Sequence, residues 1–154
     1  KVVRAMGRIC EHAERQREAL ISDHRVDRTF GRVDEAIAMA TMYTANHLEV
    51  AAIASLTESG ATVLWMSRIS SGIPIYALTR HRKTQRKVAL YRGVYPVNIE
   101  NDKIGPVQVT RCVVDVLKDK DIVSSGQRII MTRGDLIDER GAGTNSMKIV
   151  DIID

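Results

Sequence analysis

Residues 51–69 read AAIASLTESGATVLWMSRI and join two segments of different character. Residues 51–56 are short, small and apolar, as in a buried strand, whereas residues 63–69 have the pattern of a helix. The turn between them carries three hydroxyls and a glycine, at Thr57, Ser59, Thr62 and Gly60. Because a helix N-terminus presents unpaired N–H groups, this turn is typical of a phosphate-binding site that needs no metal. A plain capping role for Ser59 or Thr62 is the alternative, and the local chemistry taken alone favours it.

The order of a strand followed by a helix recurs along the chain. Apolar runs predict further strands at 73–78, 94–99, 128–132 and 147–153, and apolar spacings of three and four predict helices at 1–20, 33–48, 80–91 and 104–118. Only a glycine-containing loop, 134–145, joins the last two strands, so they should pair antiparallel. Pro96 inside a strand indicates either an edge strand or a position at the end of a strand. The sequence therefore predicts a three-layer α/β fold: a mostly parallel sheet of about five strands with an antiparallel last strand, and helices on both faces.

The composition is that of one globular domain. The chain has 154 residues, of which 44% are apolar and 27% charged, so its core needs neither disulfides nor a structural metal. No apolar run approaches the roughly 20 residues of a membrane span, and no secretory signal is recognisable, so we expect a cytoplasmic protein without membrane contact. Cys10 and Cys112 lie far apart, which predicts two reduced, buried thiols. His47 is expected to complement a helix dipole rather than bind a metal.

The net charge of +4 arises largely from one segment. This basic block consists of Arg80, His81, Arg82, Lys83, Arg86, Lys87 and Arg92. Such a block could meet the phosphates of a nucleic acid, and we keep that function as a minor alternative. Only Tyr91 interleaves with the block and no nucleic-acid-binding motif accompanies it, so a solvated helix face is the simpler interpretation.

Motifs for catalysis are missing from the sequence. Gly60-Ala61-Thr62 lacks the lysine that a Walker sequence places after its glycine, so the turn is not a nucleotide-binding P-loop. No nucleophile elbow, zinc-protease motif or close Cys–His pair occurs either. The chain on its own is therefore not expected to be an active enzyme.

Several motifs in order resemble the carboxyl-terminal domain of pyruvate kinase. They are Thr57-Glu58-Ser59-Gly60-x-Thr62, Leu90-Tyr91-Arg92-Gly93-Val94-x-Pro96-Val97 and Gly141-x-Gly143-Thr144-Asn145-x-Met147. The resemblance covers nearly the whole chain and is greatest to the bacterial form activated by AMP or sugar monophosphates. It implies that residues 1–20 correspond to the end of the catalytic barrel, that 21–31 form a linker, and that 32–154 form the carboxyl-terminal domain.

The resemblance implies an allosteric and oligomerisation domain of this glycolytic kinase. The family's upstream barrel uses magnesium and potassium to transfer phosphate from phosphoenolpyruvate to ADP, and its catalytic residues are not in this chain, which implies no cofactor here. The loop that holds the effector phosphate matches Thr57, Glu58, Ser59, Gly60, Ala61 and Thr62. The mobile loop that closes over the sugar matches Gly141, Gly143 and Thr144, with Arg140 as a candidate phosphate contact.

Two departures from the family pattern bear on the ligand. Ala61 stands where many members have arginine, and Asp135-Leu136 replaces a tryptophan–arginine pair, which argues against a bisphosphate effector. The implied partners are a phosphorylated small molecule, AMP or a sugar monophosphate, and further copies of the chain, which form a homotetramer in the family. Strand 147–153 is the expected contact between copies. A structural tetramerisation module with a vestigial phosphate site is the alternative function.

Overall fold

The computed structural model describes residues 1–15, 29–99, 106–134 and 143–153. Its helices are α1 Val2–Glu14, α2 Val33–His47, α3 Ala61–Ser67, α4 Arg82–Val88 and α5 Pro106–Asp119. Its strands are β1 Ala52–Leu56, β2 Ile75–Leu78, β3 Val94–Val97, β4 Arg128–Arg133 and β5 Ser146–Asp151. The strands form one sheet in the order β3-β2-β1-β4-β5, in which β4 and β5 pair antiparallel and all other neighbours pair parallel. The predicted α/β fold and its antiparallel last strand are confirmed.

The sheet separates two apolar clusters, which gives the domain its three layers. In β1, Ile53 faces a cluster with α2, α3 and α4, whereas Ala52 and Ala54 face a cluster with α5. These three side chains are fully buried, as expected for a parallel strand covered on both faces. The alternation of neighbouring residues between the two clusters follows from the period of two in a strand.

The edges of the sheet lie at β3 and β5. Pro96 lies in β3, opposite Ala77 of β2, and the edge position predicted for it is confirmed. At the other edge, Ile149 of β5 is 44% exposed. Both edges therefore present unpaired backbone groups within the part of the chain that the structure describes.

Helix α2 begins with an ion pair. Both nitrogens Nε and Nη2 of Arg32 donate to the carboxylate of Asp34, at 2.9 and 2.8 Å, and the Glu35 amide donates to the same carboxylate at 3.1 Å. Asp34 is buried, and the hydrogen bond from Arg32 holds the pKa of its carboxyl below the ordinary value. The negative charge in the first turn also suits the helix dipole.

Helix α1 is exposed, although the predicted burial of Cys10 requires it to be covered. Its apolar positions are exposed, with Val3 at 82% and Ile9 at 69%, rather than packed on a neighbour. The predicted burial of both thiols is therefore wrong: Cys10 is an exposed free thiol because it lies on α1. Cys112 of α5 is a half-buried free thiol, and burial raises its pKa. Residues 16–28, which include most of the predicted linker, lie outside the described residues.

Candidate functional site

The turn that follows β1 lies at the carboxyl ends of the parallel strands. The Gly60 amide donates to Thr57 Oγ1 at 2.9 Å, and the Ala61 amide donates to Ser59 Oγ at 3.4 Å. Gly60 is the N-cap residue of α3 and has a left-handed φ of 78°, without a side-chain capping bond. The alternative that Ser59 or Thr62 caps this helix holds only in part: neither is the N-cap residue and Thr62 bonds to Thr144 instead, but Ser59 Oγ accepts from the first amide of the helix. The chain reverses at Gly60, because glycine adopts the required φ without strain.

Helix α4 packs against this turn through one face. Thr84 Oγ1 donates to the carbonyl of Glu58 at 2.7 Å, and Lys87 Nζ donates to the carbonyl of Ser59 at 3.2 Å. The Glu58 carboxylate pairs with Nε2 of His81. These three side chains of the helix segment are spaced by three residues, which places them on one side of the helix.

The approach of α4 is also close at Gly60. A Cβ atom added to Gly60 would lie 2.7 Å from Cγ1 of Val88, which is fully buried. Gly60 is therefore required twice, once for its φ and once for the space beside α4.

These contacts orient the peptide groups of the turn. The carbonyls of Glu58 and Ser59 point toward α4, where they accept hydrogen bonds. In a trans peptide the following N–H points the opposite way, so the amides of Ser59 and Gly60 point away from α4. The Gly60 amide is taken by Thr57 Oγ1, so the side of the turn remote from α4 offers the Ser59 amide, together with the exposed Ser59 hydroxyl, which accepts from the Ala61 amide.

Thr62 joins the turn to the other predicted half of the site. Its hydroxyl donates to Thr144 Oγ1 at 2.7 Å, and the two residues are only 2% and 6% exposed. The turn and residues 143–145 thus lie at the same end of the sheet, where β1 and β4 end and β5 begins. Gly143 is exposed beside Thr144. Arg140 and Gly141 lie outside the described residues, as does Asp135-Leu136.

Three contacts on α4 were missed by sequence reasoning, at His81, Thr84 and Lys87. The sequence marked two of them only as members of the basic block, because 23 to 28 positions separate each from its partner in the turn. The available signal is the strand order: β2 next to β1 brings the helix after β2 alongside the turn after β1. The block is thus partly engaged with the protein itself, including a bond from Arg92 to Ser70.

The site offers hydrogen-bond donors and positive charge to an anion. Within the described ranges, no group of three or more His, Cys, Asp or Glu side chains is arranged to hold a metal ion. His47 Nδ1 donates a 2.8 Å hydrogen bond to the Tyr43 carbonyl, and the imidazole stacks on the Tyr43 ring near the end of α2, where a helix-dipole role was expected. None of the described helices is both long and apolar enough to cross a membrane.

Comparison with known proteins identifies the family to which the chain is similar. A family model for the pyruvate kinase alpha/beta domain matches residues 35–150. The chain is 45% identical over 153 residues to pyruvate kinase II of Salmonella typhimurium, with 99% of this chain and 32% of that protein covered. It is 40% identical over 151 residues to a pyruvate kinase of Buchnera aphidicola from Schizaphis graminum, covering 97% and 31%. For the pyruvate kinase of Haemophilus influenzae the identity is 40% over 135 residues, covering 87% and 28%. The chain spans about a third of the length of these curated relatives.

Proposed function

This chain belongs to the pyruvate kinase alpha/beta domain family, and from that premise we propose that it is the effector-binding and oligomerisation domain of a pyruvate kinase. The parent enzyme would convert phosphoenolpyruvate and ADP to pyruvate and ATP in cytoplasmic glycolysis, with magnesium and potassium bound outside this chain. The effector is a phosphorylated small molecule, AMP or a sugar monophosphate. Its phosphate binds the turn formed by residues 57–62.

The single observation that carries this proposal is the orientation of the turn. Helix α4 occupies the carbonyls of Glu58 and Ser59, so the Ser59 amide and the exposed Ser59 hydroxyl face a phosphate without competition from these two carbonyls. Hydroxyl and amide donors at the carboxyl end of a parallel sheet suit a phosphate. The buried Thr62 hydroxyl is bonded to Thr144, so this residue supports the turn and contacts the ligand through its backbone.

The hydrogen bond between Thr62 and Thr144 provides a route from the bound effector to the contact between subunits. Thr144 lies just before β5, the exposed edge strand at which we propose that copies of the chain pair. An effector that binds one arrangement of the subunits more tightly shifts the population toward it. By the family resemblance, Gly141, Gly143 and Arg140 belong to the loop that closes over the effector.

Calorimetry tests the proposal directly. We expect ribose 5-phosphate, glucose 6-phosphate or AMP to give heat of binding to the 154-residue chain, and Ser59→Ala to weaken it. Absence of heat with all three ligands would contradict effector binding at this turn.

Sedimentation separates this function from a structural tetramerisation module. Oligomers that form without any affinity for phosphorylated ligands would favour the structural module. A complex with duplex DNA or RNA that weakens steeply with salt would favour the nucleic-acid alternative.

A further inference from the structure

Among the described residues beside the turn, the Glu58 carboxylate has an oppositely charged partner, whereas the Lys87 ammonium does not. Glu58 brings a carboxylate to a turn that is proposed to hold an anion, but His81 pairs with that carboxylate. Lys87 Nζ instead contacts a neutral acceptor, the Ser59 carbonyl, at 3.2 Å. Among the residues that the structure describes, Lys87 forms no ion pair, so its positive charge remains uncompensated beside the turn.

We propose that Lys87 pairs with the phosphate of the bound effector, as the cation that the turn itself lacks. This inference rests on the proposed function of the same turn and extends it to a residue outside the turn. Residues 57–62 contain no lysine or arginine, and Ala61 leaves the turn without a cationic side chain. A lysine on the adjacent helix can supply the charge because its ammonium already lies within hydrogen-bond distance of the turn.

The exchange of partners needs no change in the backbone. Lys87 and Ser59 are both exposed, and the flexible four-carbon stem of Lys87 lets Nζ leave the Ser59 carbonyl for a phosphate oxygen held at the Ser59 hydroxyl. The neutral carbonyl is then replaced by a phosphate oxygen, and a charge-assisted hydrogen bond is the stronger of the two. The site would therefore favour a phosphate monoester, with two negative charges, over a singly charged phosphodiester.

A pair of neighbouring substitutions tests the role of Lys87. Lys87→Gln removes the proposed contact, and Arg86→Gln removes the same charge from the next residue, which points about 100° away around α4. With ribose 5-phosphate and inorganic phosphate as probes, we expect Lys87→Gln to weaken binding about threefold to tenfold, as for one partly screened charge pair. Arg86→Gln should change binding less than about twofold, because Arg86 lies on a different side of α4, where its exposed charge is screened by salt.

Further measurements separate a direct contact from other effects. Lys87→Arg, which keeps the charge, should retain most of the affinity, and binding by Lys87→Gln should depend less on salt than binding by the unaltered chain. Circular dichroism checks that each variant is folded.

Equal affinities of the unaltered chain and Lys87→Gln would overturn the assignment of Lys87 and leave the proposed function intact. Equal losses in Lys87→Gln and Arg86→Gln would overturn it as well, since they would show a general field rather than a contact. If the unaltered chain binds neither probe, nor glucose 6-phosphate or AMP, both the proposed function and this inference fail.

Discussion

Replacement of Gly60 by alanine is expected to lower the free energy of unfolding by about 2–4 kcal/mol. Part of this cost is conformational: at a φ of 78° a residue with a Cβ loses about 1–2 kcal/mol. The other part is steric, because the new Cβ lies 2.7 Å from Cγ1 of Val88, which is fully buried and whose β-branched side chain is stiff about χ1. Overpacking of that kind costs about 1–3 kcal/mol, and the stiffer unfolded chain returns about 0.4–1 kcal/mol.

Two controls separate the conformational and steric parts. Gly93 has a φ of 67° but nothing within 4 Å of an added Cβ, so Gly93→Ala should show the conformational cost alone, about 1 kcal/mol. Val88→Ala removes the atom that clashes. In that background Gly60→Ala should cost about as much as Gly93→Ala, although Val88→Ala itself leaves a cavity that costs about 2–3 kcal/mol.

Urea unfolding, followed by circular dichroism and by the fluorescence of Trp65, measures these differences. Trp65 is the single tryptophan and lies on α3, directly after the turn, so its signal reports the region under test. The account of the turn is wrong if Gly60→Ala costs no more than Gly93→Ala, or if its cost is the same with and without Val88→Ala.

Three further predictions concern the rest of the domain. Thr62→Val and Thr144→Val should each lower the free energy of unfolding by about 1–2 kcal/mol, because each leaves the buried hydroxyl of the other residue unpaired. The double variant should lose less stability than the sum of the two single variants, and strictly additive losses would contradict a bond between the two residues. Because the pKa of Asp34 is lowered in the fold, its pairing with Arg32 stabilises the protein at neutral pH, and this stabilisation is lost as the pH falls through that pKa. Asp34→Asn should therefore reduce the free energy of unfolding at pH 7 by about 1 kcal/mol and make stability decline less steeply in acid. Urea unfolding with an unchanged pH dependence would argue against this role of Asp34. Iodoacetamide at pH 8 should label Cys10 well before Cys112, whose burial raises its pKa, and mass spectrometry showing equal rates would contradict the exposure of α1.

The fold was largely predictable because it depends on local patterns and on connection lengths. Alternating apolar strands and helices require a parallel sheet covered on both faces, and the short connection before β5 leaves no room for a crossover helix. Pro96 has no amide to donate, so it limits its strand to an edge, or itself to a strand end, without any knowledge of the neighbours, and the strand order shows the edge. The exposure of Cys10 was not predictable, because an apolar stripe shows that a face can pack and not whether a partner covers it.

The candidate site likewise has features that the sequence predicted and features that only the tertiary structure decided. The sequence determined the position of the turn after β1, its hydroxyls and its glycine, since these follow from residue types within a few positions of one another. Tertiary structure set which side chains bond there: Thr84 and Lys87 approach from a helix that follows a different strand, and Thr62 bonds to Thr144, 82 positions away in a loop that the sequence had only assigned to the same site. The reason is that strand order brings distant segments together at the carboxyl ends of the parallel strands. The direction of each peptide group then depends on the hydrogen-bond partners that lie there.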